Sequence, residues 1–212
     1  VNLTLGCGHE RCTGYVECRE LSGPLHAQLS TGQYDWPASI LLLEDVDAYL
    51  AAHRTARKRA QHARILGYTF APLNREEHED EIHAINTSKP ERQGRPMSAG
   101  YLERPSFSPL PDYPCARHAI RTYGVSAPDG ELVAYIVVYV CGDIAMVSQI
   151  LGHADHLGAD VMYLLTLEAF QETLATSGPV VASYNRHDSG TDGLRYFKER
   201  LGFQPERVAW LL

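Results

Sequence analysis

Three strand-length apolar runs follow one another between residues 119 and 151, separated by turn-forming segments, and nothing else in the chain limits its fold as strongly. Residues 119–126, 132–140 and 144–151 are rich in Val, Ile and Tyr, as strands are. Asp129-Gly130 and Gly142-Asp143 lie between them, and Asp-Gly suits a hairpin because glycine supplies the positive φ that the turn demands. Residues 158–175 then read as an amphipathic helix, and 180–184 as a short buried strand. Residues 193–201 read as a helix stopped by Gly202, and 203–212 as a terminal strand. The order β-β-β-α-β-α-β predicts an α/β fold, a mixed sheet with helices on its faces.

Upstream, residues 39–43 read as a buried strand and 45–66 as one helix. Its apolar positions are Val46, Tyr49, Leu50, Ala56, Ala60 and Ala63, and Gly67 ends it. Residues 68–73 form a further strand. Asn74 opens a second helix with Glu77 three residues on, as in a capping box, and Ile82 and Ile85 give it an apolar stripe. Residues 89–114 are rich in Pro, Gly, Ser and Arg, and a loop this long in a compact domain is usually functional. Residues 1–34 read as a β- and Cys-rich segment, and 35–212 as the main domain.

With 44% hydrophobic and 21% charged residues the chain is globular in composition. The apolar stretches are too short to span a bilayer and no leader pattern opens the chain, so a cytoplasmic protein without membrane contact is expected. A net charge of −7 argues against a nucleic-acid coat, so any polyanion must meet a local basic patch. Such a patch exists in residues 48–74, which hold no Asp or Glu: Arg54, Arg57 and Lys58, with Arg64 further on, share a helical face. The alternative is a solvated helix whose late cations suit its C-terminal dipole. Five cysteines, three of them clustered, do not suggest a disulfide framework. Cys7, His9, Cys12 and Cys18 fit a structural Zn²⁺ in ligand type, although they lack paired Cys-x-x-Cys spacing. A reduced trio beside an exposed His remains the alternative.

The segments "DGELVAYIVVYVCGD", "LGHADHLGADVMYLLTLEAF" and "SYNRHDSGTDGLRYFKERLGF" resemble the core of the GNAT superfamily. More narrowly they resemble its FemABX branch of peptidyl-aminoacyl transferases, including small stand-alone members that add alanine in uridyl-peptide antibiotic biosynthesis of the pacidamycin type. The resemblance implies a mostly antiparallel GNAT-like sheet flanked by helices, and an aminoacyl-tRNA donor in place of CoA. Acetyl-CoA-using members carry Arg/Gln-x-x-Gly-x-Gly/Ala between strand and helix, where backbone N–H groups hold the pyrophosphate. Here the stretch from Gln149 to Gly158 has sparse glycines, and Asp155 and Asp160 lie close to the helix start, where carboxylates repel a pyrophosphate.

The resemblance also implies roles. Lys198 would stabilise the oxyanion formed when an amine attacks the ester carbonyl, and Phe197 would stack on a terminal base of tRNA, with Tyr196 beside it. Asn185, His187 and Asp188 follow a buried strand whose end faces the ligand crevice, and could orient the amine or take its proton. His153 and His156 lie where the acyl donor would sit. Ser88, Arg92 and Arg95 belong to a loop suited to closing over a peptide acceptor, with Arg forks for carboxylate or phosphate. Each of these residues also has a plain structural reading, as core, cap or solvated surface. The leading expectation is aminoacyl transfer from aminoacyl-tRNA to an amine of a peptide-like acceptor. The alternatives are an acetyl-CoA-dependent N-acetyltransferase and a non-catalytic RNA-binding module on the same fold.

Overall fold

The computed structural model describes residues 2–4, 37–113, 117–207 and 209–211. In chain order the elements are β1 (Asn2–Thr4), β2 (Ala38–Leu43), α1 (Val46–Ala52), α2 (Arg54–Ile65), β3 (Thr69–Pro72), α3 (Glu79–Thr87), β4 (Glu91–Arg92) and β5 (Arg95–Pro96). Then come α4 (Ala99–Leu102), β6 (His118–Ser126), β7 (Leu132–Cys141), β8 (Ile144–Gly152), α5 (Val161–Ser177), β9 (Val180–Arg186), α6 (Asp192–Arg200), β10 (Gln204–Glu206) and β11 (Ala209–Leu211). Among the described residues, seven strands form one sheet in the order β10-β2-β9-β8-β7-β6-β3. Its pairings are antiparallel except β8 with β9, which are joined through α5. The expected mixed, mostly antiparallel sheet flanked by helices is therefore the observed one.

β7 runs through the middle of the sheet and is buried on both faces. Ile136, Val138 and Val140 meet the helical layer of α2 and α5, while Tyr135 and Val137 join Ile82 and Ile85 of α3 on the opposite side. That explains an apolar run without polar alternation. α2 meets α5 through Ala56, Ala60 and Ala63, all at most 2% exposed. These small side chains bring the two helices close together, and larger residues at those positions would have no room.

The single helix expected over residues 45–66 is two. Asp45 caps α1 by accepting from the Ala48 N–H at 2.7 Å, and the helix ends at His53, whose φ and ψ of −109° and 52° are not helical. His53 lies 4.9 Å from the Tyr49 ring and presses against Gly202, where a Cβ would collide with the imidazole. Gly202 also has φ +93°, so the turn after α6 requires glycine twice over. Asn74 does not open a capping box. Its Oδ1 accepts from the Glu76 N–H, its Nδ2 donates to Glu77, and a 3₁₀ turn over Arg75–His78 precedes α3. The loop of residues 89–114 contains the β4–β5 hairpin and α4. The terminal strand is split: β10 extends the main sheet beside β2, and β11 pairs with β1 in a separate parallel ladder. No helix of the described residues is long and apolar enough to cross a membrane.

Candidate functional site

β8 and β9 are in register only from Ile144↔Val181 to Met146↔Ser183. Past that point β8 continues to Gly152 along β7 and β9 to Arg186 along β2 without pairing with each other, so the two strands splay and open a wedge in the sheet. A bulge contributes. Val138 faces Val147 and Val137 faces Gln149, leaving Ser148 unmatched, exposed and directed to the opening. α6 closes one wall of the wedge, and the β4–β5 hairpin with Tyr101 closes the other.

Two adjoining cavities occupy the wedge, of about 310 and 280 Å³. Arg92, Gln93, Ile150, Leu151, Tyr184 and Leu194 line both, so they form one cleft. The larger end is polar, with Arg95, Gln149, Asn185, Ser189 and Lys198. The smaller end is apolar, with Leu157, Met162, Leu194 and Phe197 beside Gly152. Gly152 keeps that end open: a Cβ there would meet the Met162 sulfur and Leu157.

Lys198 is fully buried at the polar end. It donates to the Arg186 carbonyl at 2.6 Å, and its ammonium lies 4.7 Å from the centre of the Tyr184 ring. Burial lowers its pKa to about 8, with the Asp188 charge opposing the shift. Asn185, one residue before the end of β9, lies in the left-handed region (φ +50°), and its side chain accepts from the Arg186 N–H at 2.7 Å. Asp188 is exposed and bound by Arg186 through both carboxylate oxygens, at 2.5 and 2.9 Å. Those bonds hold its pKa below the ordinary carboxylate value.

The remaining expected residues divide. Arg95 lines the cleft, and Phe197 forms part of the apolar end with its ring edge-on to Tyr163 at 4.8 Å. Arg92 lines both ends, but its guanidinium donates to the Gly152 carbonyl, the Ile85 carbonyl and Ser88 Oγ, at 2.7–2.9 Å. Ser88 thus acts through Arg92 and through the Ala154 N–H, which it accepts at 3.1 Å. Tyr196 is 44% exposed and stacks under Arg200. His187 is buried away from the cleft lining. It shares a hydrogen bond with Ser39 at 3.1 Å and has its pKa lowered, first by burial and then by the Lys198 charge. His153 and His156 lie in the 3₁₀ turn before α5, and His156 shares a 2.8 Å hydrogen bond with Tyr68.

Arg54, Arg57 and Lys58 are exposed on α2, whereas Arg64 pairs with Glu168 of α5 at 2.5 Å. Cys7, His9, Cys12 and Cys18 lie outside the described residues. Among the described residues no group of three or more His, Cys, Asp or Glu could hold a metal ion.

The entry to α5 holds a feature that the sequence did not signal. Asp160, at φ +62°, accepts from Arg59 at 2.8 Å and shares a 3.1 Å bond with His62. The carboxylate expected to repel a pyrophosphate is therefore tied to α2. Gln149, Gly152 and Ala154 fit the CoA-binding motif in residue type as well as spacing, so the departure expected from the sparse glycines lies only beyond Ala154. Gln149 to Gly152 end β8, and the turn into α5 begins at His153. In that turn the N–H groups of His153, Ala154, Asp155 and His156 go to Val133 O, Ser88 Oγ, His153 Nδ1 and His153 O.

No family profile and no curated protein matches the sequence. Solved structures do resemble the fold. The C-terminal domain of a protein from Agrobacterium fabrum, assigned as a lysylphosphatidylglycerol synthetase, matches with TM-score 0.55 and 15% identity, over 81% of this chain and 57% of that one. A GCN5-related N-acetyltransferase from Kribbella flavida matches with TM-score 0.47 and 19% identity, over 87% and 60%. L-PGS from Bacillus licheniformis matches with TM-score 0.49 and 16% identity, over 81% and 60%. The chain thus spans about 60% of the length of these structures. Strand order, the splayed parallel pair and the helix that joins it give this chain a mixed α/β fold similar to that of the Agrobacterium fabrum domain.

Proposed function

We propose that the chain is an aminoacyltransferase that takes its aminoacyl group from the ester of aminoacyl-tRNA and passes it to an amine held in the cleft. The observation that carries this reading is the state of the turn into α5. Four successive N–H groups there, from His153 to His156, already have acceptors within the chain. A carboxylate is also clamped at the helix start by Arg59 and His62. A pyrophosphate bound at those amides would have to displace these acceptors, the weakest of them at 3.4 Å, and lie beside that charge. An ester donor needs neither. The similar Agrobacterium domain supports the reading, because the name lysylphosphatidylglycerol synthetase describes the making of an aminoacyl ester.

In the reaction the amine attacks the ester carbonyl, a C–N bond forms and the C–O bond to the ribose breaks. Lys198 keeps further N–H donors besides the one given to Arg186, and these stabilise the oxyanion. Asp188 is a weak base because Arg186 holds it ionised, so the amine proton passes to the departing ribose oxygen. The enzyme's main contribution is to position the reactants, an effect that can supply roughly 7–11 kcal/mol. Arg54, Arg57 and Lys58 hold the tRNA backbone, and Phe197, at the apolar end of the cleft, stacks on a terminal base.

The test is a donor assay. Purified protein is incubated with radiolabelled aminoacyl-tRNAs, and separately with acetyl-CoA, over a panel of amines and short peptides. Transfer from tRNA that drops about 10²-fold or more in Lys198→Ala is expected. Transfer from acetyl-CoA alone would overturn the reading. RNA binding without transfer from either donor would favour a binding module.

A further inference from the structure

The cleft carries charge of one sign. Lys89, Arg92, Arg95 and Lys198 line its two ends, and no Asp or Glu lines either, in a chain whose net charge is −7. These cations also lack counter-ions within the lining. Lys198 is bonded to a carbonyl and lies against a Tyr ring. Arg92 donates only to carbonyls and a hydroxyl, and its Nε is buried with no partner. Arg95 is exposed and lines both the polar end and a neighbouring shallow cavity. Asp188 shares that shallow cavity, but both of its oxygens are taken by Arg186.

Lys198 is buried and Arg92 half-buried with only neutral partners, which is costly because their lost hydration is not offset by an opposite charge, while Arg95 stands exposed at the mouth of the same cleft. An anionic ligand supplies that charge. Resting on the transferase reading, we propose that the acceptor amine carries a negative group, a carboxylate or a phosphate, which Arg95 receives at the polar end of the cleft. A guanidinium is suited to this because its planar fork pairs with two oxygens at once. Gln93 and Ser189 stand beside Arg95 in both cavities and supply neutral hydrogen-bonding groups.

The experiment measures equilibrium binding to the full chain by titration calorimetry, using matched probes. Glycylglycine is compared with glycylglycinamide, and O-phosphoethanolamine with ethanolamine. At least one anionic probe is expected to bind about 10-fold more tightly than its neutral partner. The preference should fall to near unity in Arg95→Gln and persist in Arg104→Gln, which removes the same charge at a surface pair with Asp80. Which pair shows the preference tells carboxylate from phosphate. Equal binding within both pairs, no binding by any probe, or equal losses in the two variants would overturn the proposal. The same probes then serve as acceptors in the donor assay. A charge preference in binding without aminoacyl transfer would remove the transferase reading and leave the anion site standing.

Discussion

The ammonium of Lys198 donates to the backbone carbonyl of Arg186 at 2.6 Å, and this bond ties the last helix to the end of the strand that opens the cleft. The lysine is fully buried, with its pKa lowered from 10.5 to about 8. Below pH 8 it is charged in both folded and unfolded chains, and the folded state bears the whole cost of burial. Between pH 8 and 10.5 the unfolded chain binds more protons, so stability recovers as pH rises through that window. Lys198→Met should therefore stabilise the fold by about 1–3 kcal/mol at pH 7. That gain should shrink towards pH 10.5 while transfer is lost. Thermal melts at several pH values check it, and a gain independent of pH would contradict it.

Asp160 has two separable roles, a charge partner and a left-handed backbone. Asp160→Asn keeps a residue that tolerates φ +62°, and Asp160→Gly removes the conformational cost, whereas Asp160→Ala loses both the charge and the fit. Arg59 and His62 are half exposed, so the ionic part is worth about 1 kcal/mol or less. Ala should be the most destabilising of the three, at about 2 kcal/mol. Denaturant melts that rank Asn or Gly below Ala in stability would refute this.

Ala60 stands in the seam between α2 and α5 with 2% exposure. Ala60→Leu should push the helices apart and cost about 1–3 kcal/mol. The exposed neighbour Gln61 should accept the same substitution with little effect, a contrast that equilibrium unfolding measures.

The exposed cations Arg54, Arg57 and Lys58 should act on tRNA through phosphate contacts. Replacing all three by Gln should weaken binding and reduce the slope of log K against log salt by about 2–3. The fold should survive, because none of them packs into the core. Filter binding over a salt series gives the slope, and an unchanged slope would place the tRNA elsewhere.

The strands β6 to β9 were legible because their patterns are local. α5 was legible as a helix but not as the amphipathic one expected over residues 158–175, since it begins at Val161 after a 3₁₀ turn and is buried on nearly all sides. β7 shows as an unbroken apolar run, and Asp129-Gly130 marks its hairpin within a few residues. The break at His53 was not legible, since nothing in "YLAAHRTARK" interrupts a helix. It arises from contact with Tyr49 and with Gly202, far away in the chain. Lys198 and Phe197 could be singled out by motif, but whether they were surface or site depended on what packed around α6. Asp160 was visible as a charge and not as a clamped one, because its partners Arg59 and His62 lie on another helix.

The sequence by itself determined the order of the elements, the apolar faces that drive them together and the residue types available for chemistry. These depend on periodicity and turn preferences within a few residues. Only the tertiary structure decided that β8 and β9 part after Met146 and Ser183, that Lys198 is buried in the opening, and that the cleft has cations without carboxylates. Those properties come from side chains distant in the chain meeting in a low-dielectric space. There, burial and the position of each charge set the electrostatics, and composition does not.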